Sequence, residues 1–415
     1  MSRVLLVGGG SDLQPRLRAV SEGLSTVALC RATVLPWVHQ LGDNKAVVVV
    51  HDDSPLEKWL AAARFLHAEY AIDTVAALAE IDQDKAAAIA EDLGLEFHST
   101  ETVRLTVDKN AMRERLRTAR VEKVPFRQVA DVAELADFFA EVGPPLLIKP
   151  SEGRASAGIA VIRSAEDIET AFRRADGADG DAPRLDRSTP MAERYVEGPE
   201  YSVEALTHRG THYVFAVTEK LKDETTKVEL GHVVPARIDA DAQEAILAHV
   251  RACLTALGVE RGITHTEVIL GTDGPFLVET HLRQAGDWII DLVTAATGID
   301  VTDLLLRQIA GADLAELDEL ASRRERPHYH AAGAIGFLAP PDSGRLAGID
   351  GLEQAGELPG VEFVHRLIED GGELSGLRSS YSRLACIRVK AEDAEAAVRL
   401  RDEAMATLHV RVDEG

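Results

Sequence analysis

The sequence predicts a multidomain protein of the α/β and α+β classes, and three patterns carry that prediction. In the first 105 residues, short apolar runs alternate with helical patterns, which is typical of a doubly wound parallel sheet. Between about residues 151 and 270, strand candidates follow one another directly, which indicates antiparallel pairing. A charged, apolar-poor stretch then precedes a smaller α+β unit. We therefore expect domains at residues 1–105, 106–312 and 313–415.

Length and composition agree with this organisation. A chain of 415 residues exceeds what one hydrophobic core usually organises, so two or three domains are expected. A hydrophobic content of 46% and a charged content of 27% are typical of globular proteins. The net charge of −24 argues against a nucleic-acid partner, because a nucleic-acid binder would carry a basic surface. A local basic pocket for phosphate groups is compatible with that charge.

The cysteines and the apolar runs bear on location. Cys30, Cys253 and Cys386 lie far apart and show none of the spacings of zinc sites or disulfide frameworks. The apolar run at residues 3–7 is too short for a signal peptide, and no later run reaches the length of a membrane span. We expect a cytoplasmic protein without a membrane partner, assembled as a homodimer, the commonest oligomer.

A glycine-rich turn follows the first apolar run. Gly8, Gly9 and Gly10 suggest a dinucleotide-binding turn, but Leu13 stands where the last glycine of that motif would be. The alternative is a tight strand-to-helix turn that lines a carboxylate or a phosphate at the helix N-terminus.

Two glutamates on a hairpin are the most informative residues of the chain. An Asp-Gly pair between alternating apolar residues predicts two strands joined by a three-residue loop at residues 272–274. That loop places Glu267 opposite Glu279, with Cβ atoms roughly 5 Å apart, where like charges repel. A hard divalent cation bridged by both carboxylates is the natural partner.

The same strand face carries further polar groups. Because side chains alternate along a strand, Glu279, His281 and Arg283 share one face. The face would hold two acids, an imidazole and a guanidinium. A two-residue turn would shift the register by one and move Glu267 to the other face.

A lysine and a loop of small residues form a second constellation. An apolar strand leads to Lys149, and the loop at 152–158 lets backbone N–H groups approach phosphate oxygens. No helix follows the loop, so it is not a Walker A motif. The alternative is a plain glycine-rich hairpin with a surface lysine. Further on, a strand edge at residues 193–196 could read adenine through its backbone, and Glu200 could bind ribose hydroxyls, although acids near a turn are usually solvated.

Taken together and in this order, residues 106–303 resemble the ATP-grasp superfamily of carboxylate–amine ligases. The resemblance implies that two subdomains grip ATP and that Glu267 and Glu279 bind two Mg²⁺ ions. It also implies that Arg283 steadies the transferred phosphoryl group. The nucleotide contacts that it implies are Lys109, Lys149, Glu152, Ser156, Ala157, Gly158, Glu193, Tyr195, Val196 and Glu200.

Two positions depart from the family pattern. His281 stands where the family usually has asparagine, and Ala285 where a second glycine is common. Imidazole suits softer divalent ions better than Mg²⁺, so Mn²⁺ could also bind and His281 could be a metal ligand or a catalytic group that positions phosphate or substrate.

Within the superfamily, the layout is most similar to ligases that join amino acids into dipeptides. The residues that carry this resemblance are 231–236, 279–287 and the segment GAIGFLAPPDSGRL. The substrates implied are a carboxylate and an amine, both amino acids. His232 would face the acceptor substrate, or be a hydrogen-bonded structural histidine. The alternatives are a purine-biosynthesis-type or biotin-carboxylase-like enzyme, and a non-catalytic ATP sensor.

Overall fold

A computed structural model of the chain describes residues 2–10, 12–151, 158–177, 189–317, 320 and 322–413. Within these residues no helix is both long enough and apolar enough to cross a lipid bilayer.

The N-terminal domain is built on four parallel strands in the order β3-β2-β1-β4. The strands are β1 (Arg3–Val7), β2 (Ser25–Arg31), β3 (Val47–Val50) and β4 (Thr74–Ala76). The helices are α1 (Leu13–Val20), α2 (Leu56–Tyr70) and α3 (Gln83–Leu93). Along β1, Leu5 and Val7 pack against α2 and α3, whereas Val4 and Leu6 pack on the side of α1. Both faces of the sheet are therefore covered, which confirms the doubly wound prediction.

Two short helices connect this domain to the rest. They are α4 (Thr100–Val107) and α5 (Lys109–Thr118). Asp108 separates them, because its carboxylate accepts the backbone N–H groups of Asn110 and Ala111 and so caps α5. The domain boundary drawn between residues 105 and 106 lies inside α4.

A second, antiparallel sheet holds the candidate nucleotide strand. Its strands run in the order β5-β8-β6-β7. They are β5 (Phe126–Gln128), β6 (Leu146–Lys149), β7 (Ala160–Ile162) and β8 (Met191–Arg194). Helices α6 (Val132–Val142) and α7 (Ile168–Ala175) contribute Leu135, Phe138 and Ile168 to a core that also buries Ile148.

The largest sheet has eight strands in the order β13-β12-β9-β10-β11-β14-β18-β16, and its sequential neighbours are antiparallel. The strands before residue 313 are β9 (Glu200–His208), β10 (Thr211–Lys222), β11 (Glu229–Val234), β12 (Arg261–Gly271) and β13 (Gly274–His281). The later strands are β14 (Ala332–Leu338), β15 (Gly344–Asp350), β16 (Val361–Arg366), β17 (Glu373–Leu374), β18 (Ala385–Ala391) and β19 (His409–Asp413). Of these later strands, β14, β16 and β18 belong to the eight-stranded sheet, so the last hundred residues share its core.

Helices cover both faces of the large sheet. They are α8 (Ala240–Ala256), α9 (Ile289–Thr297), α10 (Val301–Ile309), α11 (Leu352–Gly356) and α12 (Ala394–Ala406). Helix α8 packs on one face together with α4 and α5, and α9 and α10 pack on the other. A small sheet in the order β17-β15-β19 completes the fold.

The hairpin of β12 and β13 differs from its prediction in an instructive way. The turn has two residues, Thr272 and Asp273, so that Gly271 pairs with Gly274 and Val268 with Leu277. The expected three-residue loop is therefore wrong. A bulge at Val278 inserts one residue into β13 and restores Glu267 opposite Glu279. The predicted pairing is confirmed, but a bulge beside the site produces it rather than the turn.

A buried histidine lies where the N-terminal domain meets the large sheet. A side chain added at Gly262 would meet the His98 ring at 3.1 Å, so this glycine leaves the space that His98 needs. Burial, helped by the charge of Arg261, lowers the pKa of His98 to about 3. His98 is therefore neutral in the folded protein under mildly acidic conditions that protonate an unfolded histidine.

We expect acid to destabilise the protein through His98. Between its unfolded pKa near 6.5 and its folded pKa, the unfolded chain binds more protons, so stability falls as the pH drops below about 6.5. The loss should be about 1.4 kcal/mol per pH unit. Urea denaturation at about pH 7 and about pH 5 should show a smaller loss in His98→Gln than in the wild type.

The matched control is His39→Gln, which changes an exposed histidine of the N-terminal domain and should keep the wild-type pH dependence. An unchanged pH dependence in His98→Gln would show that His98 is not the group responsible.

Candidate functional site

Glu279 contacts one lysine and one imidazole. Lys109, the first residue of α5, places its Nζ 3.1 Å from Glu279 Oε2, and His281 Nε2 donates a hydrogen bond of 3.1 Å to Oε1. Burial alone would raise the pKa of Glu279, but the charge of Lys109 and the contact with His281 outweigh it and lower the pKa. The carboxylate is therefore ionised at neutral pH.

Glu267 is paired in the same way. Lys220 Nζ lies 2.8 Å from Glu267 Oε1, and His265 Nε2 lies 3.2 Å from the same oxygen. Burial opposes ionisation, but the charge of Lys220 and the hydrogen bond from His265 bring the pKa of Glu267 well below its usual value. Each of the two facing carboxylates therefore contacts one lysine and one imidazole of the protein.

The two imidazoles are themselves tuned by acids. Burial would lower the pKa of His265, but Glu204, whose Oε1 accepts from His265 Nδ1 at 3.0 Å, outweighs it and raises the pKa to about 10. The His281 ring stacks on His265 with centroids 6.0 Å apart. Hydrogen bonds to Glu279 and Glu80 raise the pKa of His281 against the effect of burial. Both rings favour the charged form.

Lys220 connects the hairpin to two further acids. Its Nζ lies 3.0 Å from Glu200 Oε1 and 2.7 Å from Glu229 Oε1, and its side chain is 1% exposed. Burial would lower the pKa of Lys220, but the surrounding carboxylates raise it well above the usual value. Glu200 also pairs with Lys222. The carboxylate expected to bind ribose is thus held by two lysines, and its nucleotide role stays a prediction.

The acidic residues fit a divalent cation. Glu267 and Glu279 are ionised and lie opposite each other on neighbouring strands. Oxygen atoms of Glu200, Glu229 and Glu267 also lie within 4.8 Å of one another, but the Lys220 ammonium contacts all three. Carboxylate oxygens are the ligands that Mg²⁺ prefers. Glu267 and Glu279 would hold such an ion, and whether His281 joins them stays a prediction.

Lys149 lies in a buried ionic chain. Its Nζ is 2.7 Å from Glu193 Oε1, and Glu193 Oε2 accepts a 2.8 Å hydrogen bond from Arg113 Nε. Burial would raise the pKa of Glu193, but Arg113 and Lys149 lower it to about 2. Burial, with the charges of Arg113 and Lys109, lowers the pKa of Lys149. The two lysines predicted to contact phosphates therefore share one electrostatic environment.

The strand expected to bind adenine is not an edge strand. Glu193 pairs with Phe126 of β5 on one side and with Leu147 of β6 on the other. The Tyr195 N–H donates to the carbonyl of Pro145 at 3.1 Å. The prediction of an open strand edge from residue 193 is wrong, because β5 and β6 pair with this strand on its two sides. The adenine contact predicted for Val196, the residue after them, stays open.

The phosphate loop is described only at its end. Glu152, Ser156 and Ala157 lie outside the described residues, and their phosphate contacts stay predictions. Gly158 has φ +76°, and a Cβ added there would lie 2.9 Å from Cγ of Pro150. Glycine is therefore required where the loop rejoins β7.

Arg283 contacts an acid that the sequence analysis missed. Glu80, in the loop after β4, accepts a 2.8 Å hydrogen bond from Arg283 Nε, and its other oxygen lies 3.6 Å from His281 Nδ1. Gln83, the first residue of α3, donates to the carbonyl of Leu282 at 2.8 Å, which ties the end of this loop to the segment after β13. The signal was available, because loops at the carboxyl ends of parallel strands commonly bind ligands.

His232 joins the site to the C-terminal strands. Its Nε2 lies 3.2 Å from Asp287 Oδ2, and Arg383 donates to both oxygens of Asp287 at 2.7 Å. The Arg383 guanidinium also lies 3.7 Å from the centroid of the Phe337 ring. His232, Asp287 and Glu229 offer atoms within 4.8 Å of one another, so this cluster adjoins that of Lys220. No sequence pattern indicated Arg383, which precedes β18 and lies far from His232 in the chain.

Two family models match this architecture. Residues 142–291 match the ATP-grasp domain, and residues 336–413 match the L-amino acid ligase C-terminal domain 2. These matches assign an ATP-grasp domain and an L-amino acid ligase C-terminal domain to parts of this chain.

Known proteins agree with that assignment. Alanine–anticapsin ligase of Bacillus subtilis (strain 168) is 26% identical over 259 residues, which are 58% of this chain and 54% of that protein. The chain thus spans about half the length of the curated relatives it matches first. The crystal structure of L-amino acid ligase from Bacillus licheniformis superposes with a TM-score of 0.81 at 21% identity, covering 100% of this chain and 99% of that one.

The same fold occurs in other ligases. Phosphoribosylglycinamide synthetase from Anaerococcus prevotii superposes with a TM-score of 0.70 at 19% identity, covering 99% of this chain and 100% of that one. At such identities, structural likeness establishes the fold alone.

The same substitution at two glutamates should separate catalysis from stability. Glu279→Gln removes the partner of Lys109 but also relieves the repulsion from Glu267, so the loss of folding stability should be modest. ATP turnover should fall on the order of a hundredfold or more, as when one charge-stabilising group is lost. Glu193→Gln leaves Lys149 and Arg113 without their shared anion and should cost about 3–5 kcal/mol of stability. Urea denaturation and phosphate release measure both effects. Unchanged turnover in Glu279→Gln would contradict its placement at the metal.

His281→Asn tests whether the imidazole affects the metal. If His281 is a ligand, replacing its nitrogen by an amide oxygen should shift the preference away from Mn²⁺ and towards Mg²⁺. Phosphate release measured against the concentration of each ion gives the two profiles. Identical profiles in wild type and variant would show that His281 does not bind the ion.

Proposed function

We propose that this chain is an ATP-dependent ligase that joins the carboxylate of one amino acid to the amine of another. The observation that carries the proposal is the facing pair of ionised glutamates, Glu267 and Glu279, with Lys109 bound to one and Lys149 in the same electrostatic environment. Such a site can bind a nucleotide triphosphate with its divalent cation. The names of the relatives, which are ligases, support the joining of a carboxylate to an amine.

The proposed reaction has two steps. A carboxylate oxygen of the first substrate attacks the γ-phosphorus of ATP, and the bond to the bridging oxygen of ADP breaks, which yields an acyl phosphate. The amine of the second substrate then attacks the acyl carbon, loses a proton, and inorganic phosphate leaves. No nucleophile from the protein is needed.

The side chains of the site would act on charge and position. Lys109, Lys149 and Arg283 would set positive charge around the transferring phosphoryl group. Bound Mg²⁺, held by Glu267 and Glu279, would supply Lewis-acid neutralisation of the phosphate oxygens. We propose that two Mg²⁺ ions bind here and that Mn²⁺ can replace them. The loop that ends at Gly158 would exclude water, which would otherwise hydrolyse the acyl phosphate.

The Glu80–Arg283 pair supports an amino acid as substrate. The two side chains come from different domains and pair at 2.8 Å. A zwitterion presents one carboxylate and one ammonium group, so it could replace this internal pair by two ion pairs with the protein. A substrate without an ammonium group would take Arg283 from Glu80 and offer that carboxylate no ion pair in exchange, at an energetic cost.

Three alternatives share parts of this site. A purine-biosynthesis-type or a biotin-carboxylase-like enzyme would have the same fold, and an ATP sensor would bind nucleotide without turnover. The L-amino acid ligase C-terminal domain at residues 336–413 favours the amino acid ligase. The homodimer and the cytoplasmic location stay proposals.

The test is phosphate release by the full chain with ATP, Mg²⁺ and pooled amino acids, followed by mass spectrometry of the products. We expect amino-acid-dependent phosphate release and a product with the mass of a dipeptide. Glu80→Gln should raise the KM for the amino acid and leave the KM for ATP nearly unchanged. Glu96→Gln, which removes another glutamate of the N-terminal domain paired with an arginine at 2.8 Å, is the matched control and should behave as wild type.

Other outcomes decide between the alternatives. Stimulation by amine-bearing ribotides but not by amino acids would overturn the proposal in favour of a purine-type ligase. ATP binding by calorimetry, without turnover on any of these substrates, would identify a sensor.

A further inference from the structure

We propose that Glu122, His249 and Cys253 form a binding site for a zinc-like transition-metal ion, separate from the Mg²⁺ site of Glu267 and Glu279. The three residues offer one carboxylate oxygen, one imidazole nitrogen and one sulfur, all within 4.8 Å of one another. The site lies between α8 and the segment that follows α5.

Local structure brings the ligands together. His249 and Cys253 are four residues apart on α8, so they lie on one face of the helix. Glu122 follows α5, and its Oε1 lies 2.9 Å from His249 Nε2. Cys253 Sγ lies 3.5 Å from the same nitrogen.

These spacings are close to those of a tetrahedral zinc site. With Zn–N near 2.0 Å and Zn–S near 2.3 Å, tetrahedral geometry sets nitrogen and sulfur ligands about 3.6 Å apart. It sets nitrogen and oxygen ligands about 3.3 Å apart. The distance between sulfur and nitrogen therefore already fits, and the distance between nitrogen and oxygen needs to lengthen by only about 0.4 Å.

The donor types select a softer ion than Mg²⁺. Nitrogen and sulfur ligands with one carboxylate favour zinc and similar transition metals, whereas Mg²⁺ takes oxygen ligands. The His249 side chain is 12% exposed, which opens a path from solvent, and Cys253 is fully buried. A water molecule can supply the fourth ligand on the open side.

The charge around the site permits a cation. Arg113 Nη1 lies 3.2 Å from Glu122 Oε2, but its own charge is shared with Glu193, 2.8 Å away. Glu122 Oε1 also accepts the backbone N–H of Leu277 at 2.6 Å, which holds the carboxylate in place. Burial raises the pKa of the Cys253 thiol well above its usual value. Metal binding therefore releases the thiol proton, and affinity should rise with pH.

Without a metal, the same contacts would form only a hydrogen-bonded cluster that ties α8 to β13. If the cluster binds no metal, the protein should give no spectroscopic signal from a thiolate–metal bond. Cobalt is the suitable probe, because a cysteine thiolate bound to Co²⁺ gives a charge-transfer band in the near ultraviolet, and a site made only of carboxylates cannot.

The experiment titrates Co²⁺ into the full chain after treatment with a chelator and its removal. We expect the thiolate charge-transfer band to saturate at one equivalent and to disappear when Zn²⁺ is added. Excess Mg²⁺ should leave the band in place, because magnesium does not bind thiolate. A wild-type protein without the band would overturn the proposal.

Variants assign the band to this cluster. Cys253→Ala should abolish it, and His249→Gln should weaken cobalt binding. Cys30→Ala removes another buried thiol and is the matched control, which should retain the band. Circular dichroism verifies that each variant is folded. A band that survives in folded Cys253→Ala would overturn the proposal. Glu279→Gln should also retain the band, so the result is independent of whether the chain is a ligase.

Discussion

The opposition of Glu267 and Glu279 across β12 and β13 is the constraint on which the site depends. Two ionised carboxylates facing each other on a sheet repel, and the protein compensates with Lys109, Lys220, His265 and His281. These cations come from a helix and three strands of the large sheet. Correct packing of α5 and β10 against the hairpin is therefore a condition for a stable site, and the site in turn ties the helix to the sheet.

The surrounding domains contact the segment after β13 through ion pairs. The N-terminal domain contributes Glu80 to Arg283, and the C-terminal part contributes Arg383 to Asp287. Because β14 and β18 extend the catalytic sheet, the C-terminal segment is part of the framework that positions the site. The Glu80–Arg283 ion pair joins two domains. A substrate that broke this pair would remove a contact between them, and its binding would shift the equilibrium between domain positions.

Several elements were predictable because their signals are local. Alternating apolar runs predicted the parallel sheet, and the Asp-Gly pair predicted the hairpin. The register of that hairpin was not predictable, since the two-residue turn alone would have opposed the wrong residues. The bulge at Val278 corrects it, and Arg113 Nη2 lies 3.5 Å from the Val278 carbonyl, a contact made by a distant helix. The inner position of Glu193 was equally hidden, because strand order depends on partners far away in sequence.

The sequence by itself determined the class of the fold and the hairpin that carries the two glutamates, because these follow from periodicity and residue type within short windows. The opposition of Glu267 and Glu279 depends on the bulge at Val278, which only the tertiary structure shows. Only the tertiary structure decided which cation neutralises which acid: Lys109 with Glu279, Lys220 with Glu267, and Lys149 with Glu193. It alone revealed Glu80, Arg383 and the Glu122–His249–Cys253 cluster. The physical reason is that ion pairing in a buried site depends on distances of a few ångströms, and packing between remote segments sets those distances.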